Sequence, residues 1–141
     1  MRKIFIICSV RDANADHRAQ LEAYADMLED NGAEVHLPHR DTDQEASGFD
    51  ICRENAMAIN LSNEVHVFYS DYSKGSHFDL GVTFALNQIV GKDIKIVPVD
   101  AKIYTSGKSF PRMMDEWQSE QTKLMVEDDE EDYSDFPDQF I

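Results

Sequence analysis

The stretch YSDYSKGSHFDLGVTFAL, Tyr69 to Leu86, sets a Ser-Lys-Gly-Ser turn ahead of an apolar helical pattern and puts a carboxylate, Asp79, at its mouth. Ser73, Gly75 and Ser76 fall between a predicted strand and a helix start. Backbone N–H groups at such a start are unsatisfied and carry positive potential, and glycine allows an anion close approach. The turn therefore fits a phosphate cradle. It fits a capped turn equally well. Asp79 has two readings as well. Ser76 at N-cap with Asp79 at N3 spells a capping box, and a carboxylate beside an anion-type turn, sharing a face with Val82 and Leu86, can also react with a bound ligand.

Two further candidates come from elsewhere in the chain. CSVRD places Ser9 and Arg11 at the end of the first predicted strand, where a hydroxyl and a guanidinium suit a phosphate. The alternative for Arg11 is a surface pair with Asp12 or Asp16. Asn55 interrupts the apolar stripe of Ile51 and Ile59 on a predicted helix. A buried amide needs partners, either loop backbone or a ligand.

The elements that must position these groups alternate. KIFIICSV reads as a strand buried on both faces. ANADHRAQLEAYADMLEDNG reads as a helix, capped by Asn14 or Asp16 and ended by Gly32. AEVHLP is a short strand, HRDTDQEASGFD a polar loop and ICRENAMAINLS a helix. EVHVFY, HFDLGVTFALNQIVG and DIKIVPVD follow as strand, helix and strand. SFPRMMDEWQSEQTKLM forms a last helix with Pro111 near its first turn. Such alternation predicts an α/β fold: a doubly wound, flavodoxin-like (Rossmann-like) parallel sheet with helices on both faces. Ligands bind such sheets beyond the carboxyl ends of the strands. The loops SVRDA, PHRDT and SDYSKGS should meet there.

Composition narrows the classes. The 141 residues suit one domain over 1–126, followed by an acidic tail over 127–141. Net charge is -15, and Glu127–Ile141 holds eight of the 28 acids with no Lys or Arg. The tail is expected to be solvated and disordered, or to dock on a basic partner through Tyr133, Phe136 and Phe140. Duplex nucleic acid is an unsuitable partner for so acidic a chain. No membrane span and no secretory leader are expected, which favours the cytoplasm. Cys8 and Cys52 have no zinc spacing and should be free thiols. The five histidines form no HxxxH or HExxH pair, so no metal and no cofactor are expected. KIYTSGKS is not a P-loop, because Lys102 stands where glycine is needed and Phe110-Pro111 follow directly.

The order of these motifs resembles the nucleoside 2-deoxyribosyltransferase superfamily. Ser9-x-Arg11 ends the first strand, a polar residue sits on the second helix, a Ser73-x-Gly75 loop follows, and Asp79-Leu80-Gly81 runs on to Ala85. The resemblance spans about Lys3 to Val97. At Ser9 and Arg11 it leans to the 2'-deoxynucleoside 5'-monophosphate N-hydrolase branch. It implies cleavage or transfer of an N-glycosidic bond of a nucleoside or nucleotide, through a carboxylate that attacks the sugar. Asp79 matches the attacking group, and Ser9, Arg11, Ser73, Gly75 and Ser76 the phosphate-binding positions. Asn55 would hold a sugar hydroxyl, and His39, Arg40 and Asp41 would border the base. A homodimer or larger homo-oligomer is also implied. Three departures keep an alternative open, a non-catalytic nucleotide-binding module for sensing or sequestering. Asp79 replaces a glutamate, Asn55 an acid (with Glu54 adjacent), and Phe5 a tyrosine. The shorter aspartate retracts the carboxylate by about 1 Å, a misplacement that can cost roughly a hundredfold in rate.

Overall fold

In a computed structural model of the protein, residues 1–11, 13–100 and 107–131 are described. The chain divides into two compact units, Met1–Ala101 and Lys102–Ile141. In the first unit β1 (Lys3–Ile7), α1 (Ala15–Asp30), β2 (Glu34–His36), α2 (Pro38–Asp41), α3 (Gly48–Asn60), β3 (Glu64–Val67), α4 (Lys74–Ala85) and β4 (Lys95–Pro98) follow in order. A π-helical turn, Leu86–Val90, extends α4. The four strands form one parallel sheet in the order β2-β1-β3-β4. Winding reverses at β1, so right-handed crossovers put α1 on one face and α3 and α4 on the other. This is the doubly wound α/β fold that the alternation predicts.

The central strand is buried on both faces, as its unbroken apolar run requires. Ile4, Ile6 and Cys8 join Leu21, Ala25 and Leu28 of α1 and Val35 and Leu37 in one apolar cluster. Strand alternation turns Phe5 and Ile7 to the opposite face, and both are fully buried. Asn14 caps α1 by accepting from His17 N at 2.8 Å. Gly32, at φ 92°, takes the left-handed position that ends it.

The segment read as a polar loop is partly helical. Pro38 opens α2, and the Asp41 carboxylate accepts from Leu37 N at 2.8 Å, closing the turn on itself. Ser47 caps α3, which therefore starts at Gly48, three residues ahead of the predicted helix.

In the second unit α5 (Phe110–Glu131) has Ser109 accepting from Arg112 N at 3.2 Å, with Pro111 in its first turn. The helical backbone runs through 127–131, the first residues of the expected tail. Residues 132–141, with Tyr133, Phe136 and Phe140, lie outside the described residues. Among the described residues no helix is long and apolar enough to cross a membrane.

One polar network ties the start of the sheet together. Arg2 donates to both oxygens of Glu64, at 2.6 and 3.0 Å. His66 Nε2 donates to Glu64 at 3.1 Å, which leaves Nδ1 to accept from Tyr24 OH at 2.6 Å. The Arg2 hydrogen bond, aided by His66 and opposed by burial, holds the Glu64 carboxyl down at about 2. A depressed carboxylate stabilises the fold above its unfolded value near 4.5, and that stability is lost as pH falls toward 2. Arg2 is half-exposed, so solvent screening keeps the effect to about 1–2 kcal/mol. Glu64→Gln should therefore lower urea stability at neutral pH, with the gap to the parent narrowing by pH ~3. A gap that stays constant with pH would mean that the loss is packing rather than charge.

Candidate functional site

A cavity of about 390 Å³ opens where the carboxyl ends of β1 and β3 meet, the point at which the winding reverses. Four segments build it. Cys8 to Arg11 leave β1, Pro38 and Gln44 come from the turn after β2, and α3 contributes Gly48, Ile51, Cys52 and Asn55. Tyr72 to Ser76 and Asp79 come from the start of α4. Ser9, Arg11, Asn55, Ser73, Gly75, Ser76 and Asp79, named from sequence, thus share one wall system.

The frame of α4 differs from the predicted one. Ser73, not Ser76, is the N-cap, accepting from Ser76 N at 3.2 Å. The sequence offers two serines three residues apart, and the first one caps. Asp79 is therefore the sixth helical residue, and the Ser76–Asp79 capping box does not form. Asp79 lies instead on the buried face with Ser76, Leu80 and Thr83. Capping does not explain it. Gly75 sits in the first turn with open space where a Cβ would stand. The Lys74 and Gly75 N–H groups have no intrahelical acceptor in that turn. Ser76 is 5% exposed, and its hydroxyl oxygen is buried on the cavity wall without a hydrogen-bond partner among the described residues. A buried hydroxyl left so costs free energy that a polar ligand would recover.

Asp79 is 7% exposed. Burial pushes its carboxyl up to about 7, and a hydrogen bond from Asn55 works against that rise. The helix N-terminus does not hold it ionised as a first-turn position would. A charge six residues in, and out of water, feels desolvation first. Asn55 Nδ2 donates to Asp79 Oδ2 at 3.5 Å, and Asn55 Oδ1 accepts from Thr42 Oγ1 at 2.7 Å. The partners of this amide are thus side chains rather than loop backbone. Burial, with Asp79 second, pushes the Cys8 thiol up to about 12, so it stays protonated and is not a nucleophile.

His39, Arg40 and Asp41 do not line the cavity. Arg40 is tied to Glu29 of α1 at 2.7 Å, to Asp41 at 2.8 Å and to Val35 O at 3.0 Å. Asp41 closes α2, and His39 Nε2 lies 3.2 Å from Glu22 Oε1. Pro38 and Gln44, from the same segment, reach the cavity in their place. Arg11 is exposed at the rim, and no ion pair among the described residues engages it; Asp12 lies outside them. Sequence reasoning missed Cys52 and Tyr72. Cys52 precedes Asn55 by one helical turn, a spacing that places both on one face. Tyr72 is the exposed aromatic beside the cap. No group of His, Cys, Asp and Glu among the described residues is arranged to hold a metal ion.

No family model and no curated protein matches the chain. Among solved structures, it is similar to a 2-desoxiribosyltransferase from Leishmania mexicana, with a TM-score of 0.52 at 19% identity. The match covers 72% of this chain and 67% of the other. At that identity the likeness is one of fold.

Proposed function

We propose that the protein cleaves or transfers the N-glycosidic bond of a 2'-deoxynucleoside or its 5'-monophosphate. The observation that carries this reading is a buried carboxylate, Asp79, on the same cavity wall as the anion-type start of α4. The fold shared with a 2-desoxiribosyltransferase supports it. In its ionised form Asp79 attacks the anomeric carbon as the C–N bond breaks and the base departs with the bonding electrons. Water or a second base then takes the sugar from the ester, with net retention. The Lys74 and Gly75 N–H groups, the Ser76 and Ser9 hydroxyls and Arg11 hold the phosphate. These contacts favour the hydrolase branch acting on monophosphates. The cavity volume suits one small ligand.

One observation favours the second reading, binding without turnover. The side chain bonded to Asp79 is the amide of Asn55, which cannot handle a proton as an acid at that position would. Incubation with deoxynucleosides and their 5'-monophosphates separates the two. Free base supports the enzyme, bound but intact nucleotide supports the binding module, and a protein that shows no release and no binding rejects both readings.

A homodimer or larger assembly belongs to the same proposal. Phe49 and Met57 on α3, Leu61 just after it, and Phe78 and Phe84 on α4 are exposed apolar side chains. Sedimentation at micromolar concentration should report a dimer or larger species. A monomer throughout would remove this part of the reading.

A further inference from the structure

We propose that Thr42 and His36 are positioning residues for Asp79: a chain of hydrogen bonds fixes the side-chain amide of Asn55 with its N–H toward the carboxylate. The chain runs from β2 to α4. His36 Nε2 lies 2.7 Å from Thr42 Oγ1, Thr42 Oγ1 donates to Asn55 Oδ1 at 2.7 Å, and Asn55 Nδ2 donates to Asp79 at 3.5 Å. Thr42 is 4% exposed, and neither Thr42 nor His36 lines the cavity. Their hydroxyl and imidazole therefore act through Asn55, not on a ligand.

The polarity of the chain follows from proton counting. The Thr42 hydroxyl has one proton. Given to Asn55 Oδ1, it obliges His36 to carry its proton on Nε2 and to donate to Thr42. The Asn55 N–H then remains for Asp79. With the opposite polarity Asn55 would aim its oxygen at Asp79, and an ionised carboxylate would face a lone pair. The imidazole is itself fixed. It stacks on Phe5, its cross-strand neighbour, with centroids 5.2 Å apart and planes at 11°. Burial favours the neutral ring, against the charges of Asp41 and Glu54 and with that of Arg40. From β1 the Cys8 thiol, which stays protonated, also bears on Asp79. The amide is thus the group that favours the ionised form of Asp79, and its orientation is set by Thr42 and His36, which lie outside the cavity.

The test has two readouts that need no substrate. In the unmodified protein at about pH 9, where Asp79 is ionised, nitrogen-15 NMR should find His36 with its proton on Nε2. A proton on Nδ1 would reverse the chain and overturn the proposal. Carboxyl carbon-13 NMR then follows Asp79 in Thr42→Val and Thr42→Ser. Loss of the hydroxyl frees the amide and should raise the Asp79 midpoint by about one pH unit, while serine keeps it within a few tenths. A folded Thr42→Val protein with an unchanged midpoint overturns the proposal; if that variant does not fold, the His36 tautomer decides. A third readout rests on the reaction proposed above. Thr42→Val should lower kcat at neutral pH with KM little changed, and the rising limb of its pH profile should move with the new midpoint. If no protein releases base, the enzymatic reading fails and the two NMR measurements still decide the positioning role.

Discussion

Asp79→Asn should abolish base release, by roughly a thousandfold or more, while nucleotide binding persists. The amide keeps the shape of the carboxylate and loses its charge and one oxygen. The parent should show its own signature: a rate that climbs as Asp79 loses its proton, with a rising limb centred near 7 rather than near the usual aspartate value. Stability moves the other way. A carboxylate whose folded value is raised destabilises the fold as pH rises from its unfolded value near 4 through 7, by roughly 2–4 kcal/mol when fully ionised. Asp79→Asn should therefore melt higher than the parent at alkaline pH, with little difference at about pH 4. Gaining stability while losing activity is the pattern of a group retained for function. An Asp79→Asn protein with full hydrolytic activity would end the reading. One that is less stable at alkaline pH would show that the carboxylate holds the structure.

Arg11→Ala should weaken binding of a 5'-monophosphate by about 1.5–3 kcal/mol, some ten- to a hundredfold, and leave the matching nucleoside within roughly threefold. Arg11 stands at the rim of the cavity whose wall carries the first turn of α4 and the unpartnered Ser76 hydroxyl. A guanidinium there gains a charge-assisted bond only when the ligand brings an anion. Calorimetric titration of both ligands against both proteins measures the discrimination. Equal losses for nucleoside and nucleotide would move Arg11 from the phosphate to some other part of the ligand.

Much of this protein is legible in its sequence because the signals are short-ranged. The apolar run at Lys3–Ile7 and the helical spacing of Leu21, Ala25 and Leu28 are periodicities that neighbouring residues define among themselves. Their alternation dictates the parallel sheet, and the sheet brings the strand-end loops together. Ser9, Arg11, Asn55, Ser73, Gly75, Ser76 and Asp79 reach one cavity for that reason. Only the tertiary structure decided what those groups are. Ser73 and Ser76 offer equivalent caps in sequence, and the choice of Ser73 moves Asp79 from the helix mouth to its buried face. His39, Arg40 and Asp41 share a segment with Pro38 and Gln44, yet Glu29, from a helix earlier in the chain, draws Arg40 away from the cavity. Thr42 and Asn55 are thirteen residues apart, and Asn55 and Asp79 twenty-four, so no local pattern announces their bonds. Periodicity is a property of adjacent residues. Desolvation and hydrogen-bond partnership belong to whatever the fold packs beside a group, and they set the charge, and hence the chemistry, of Asp79.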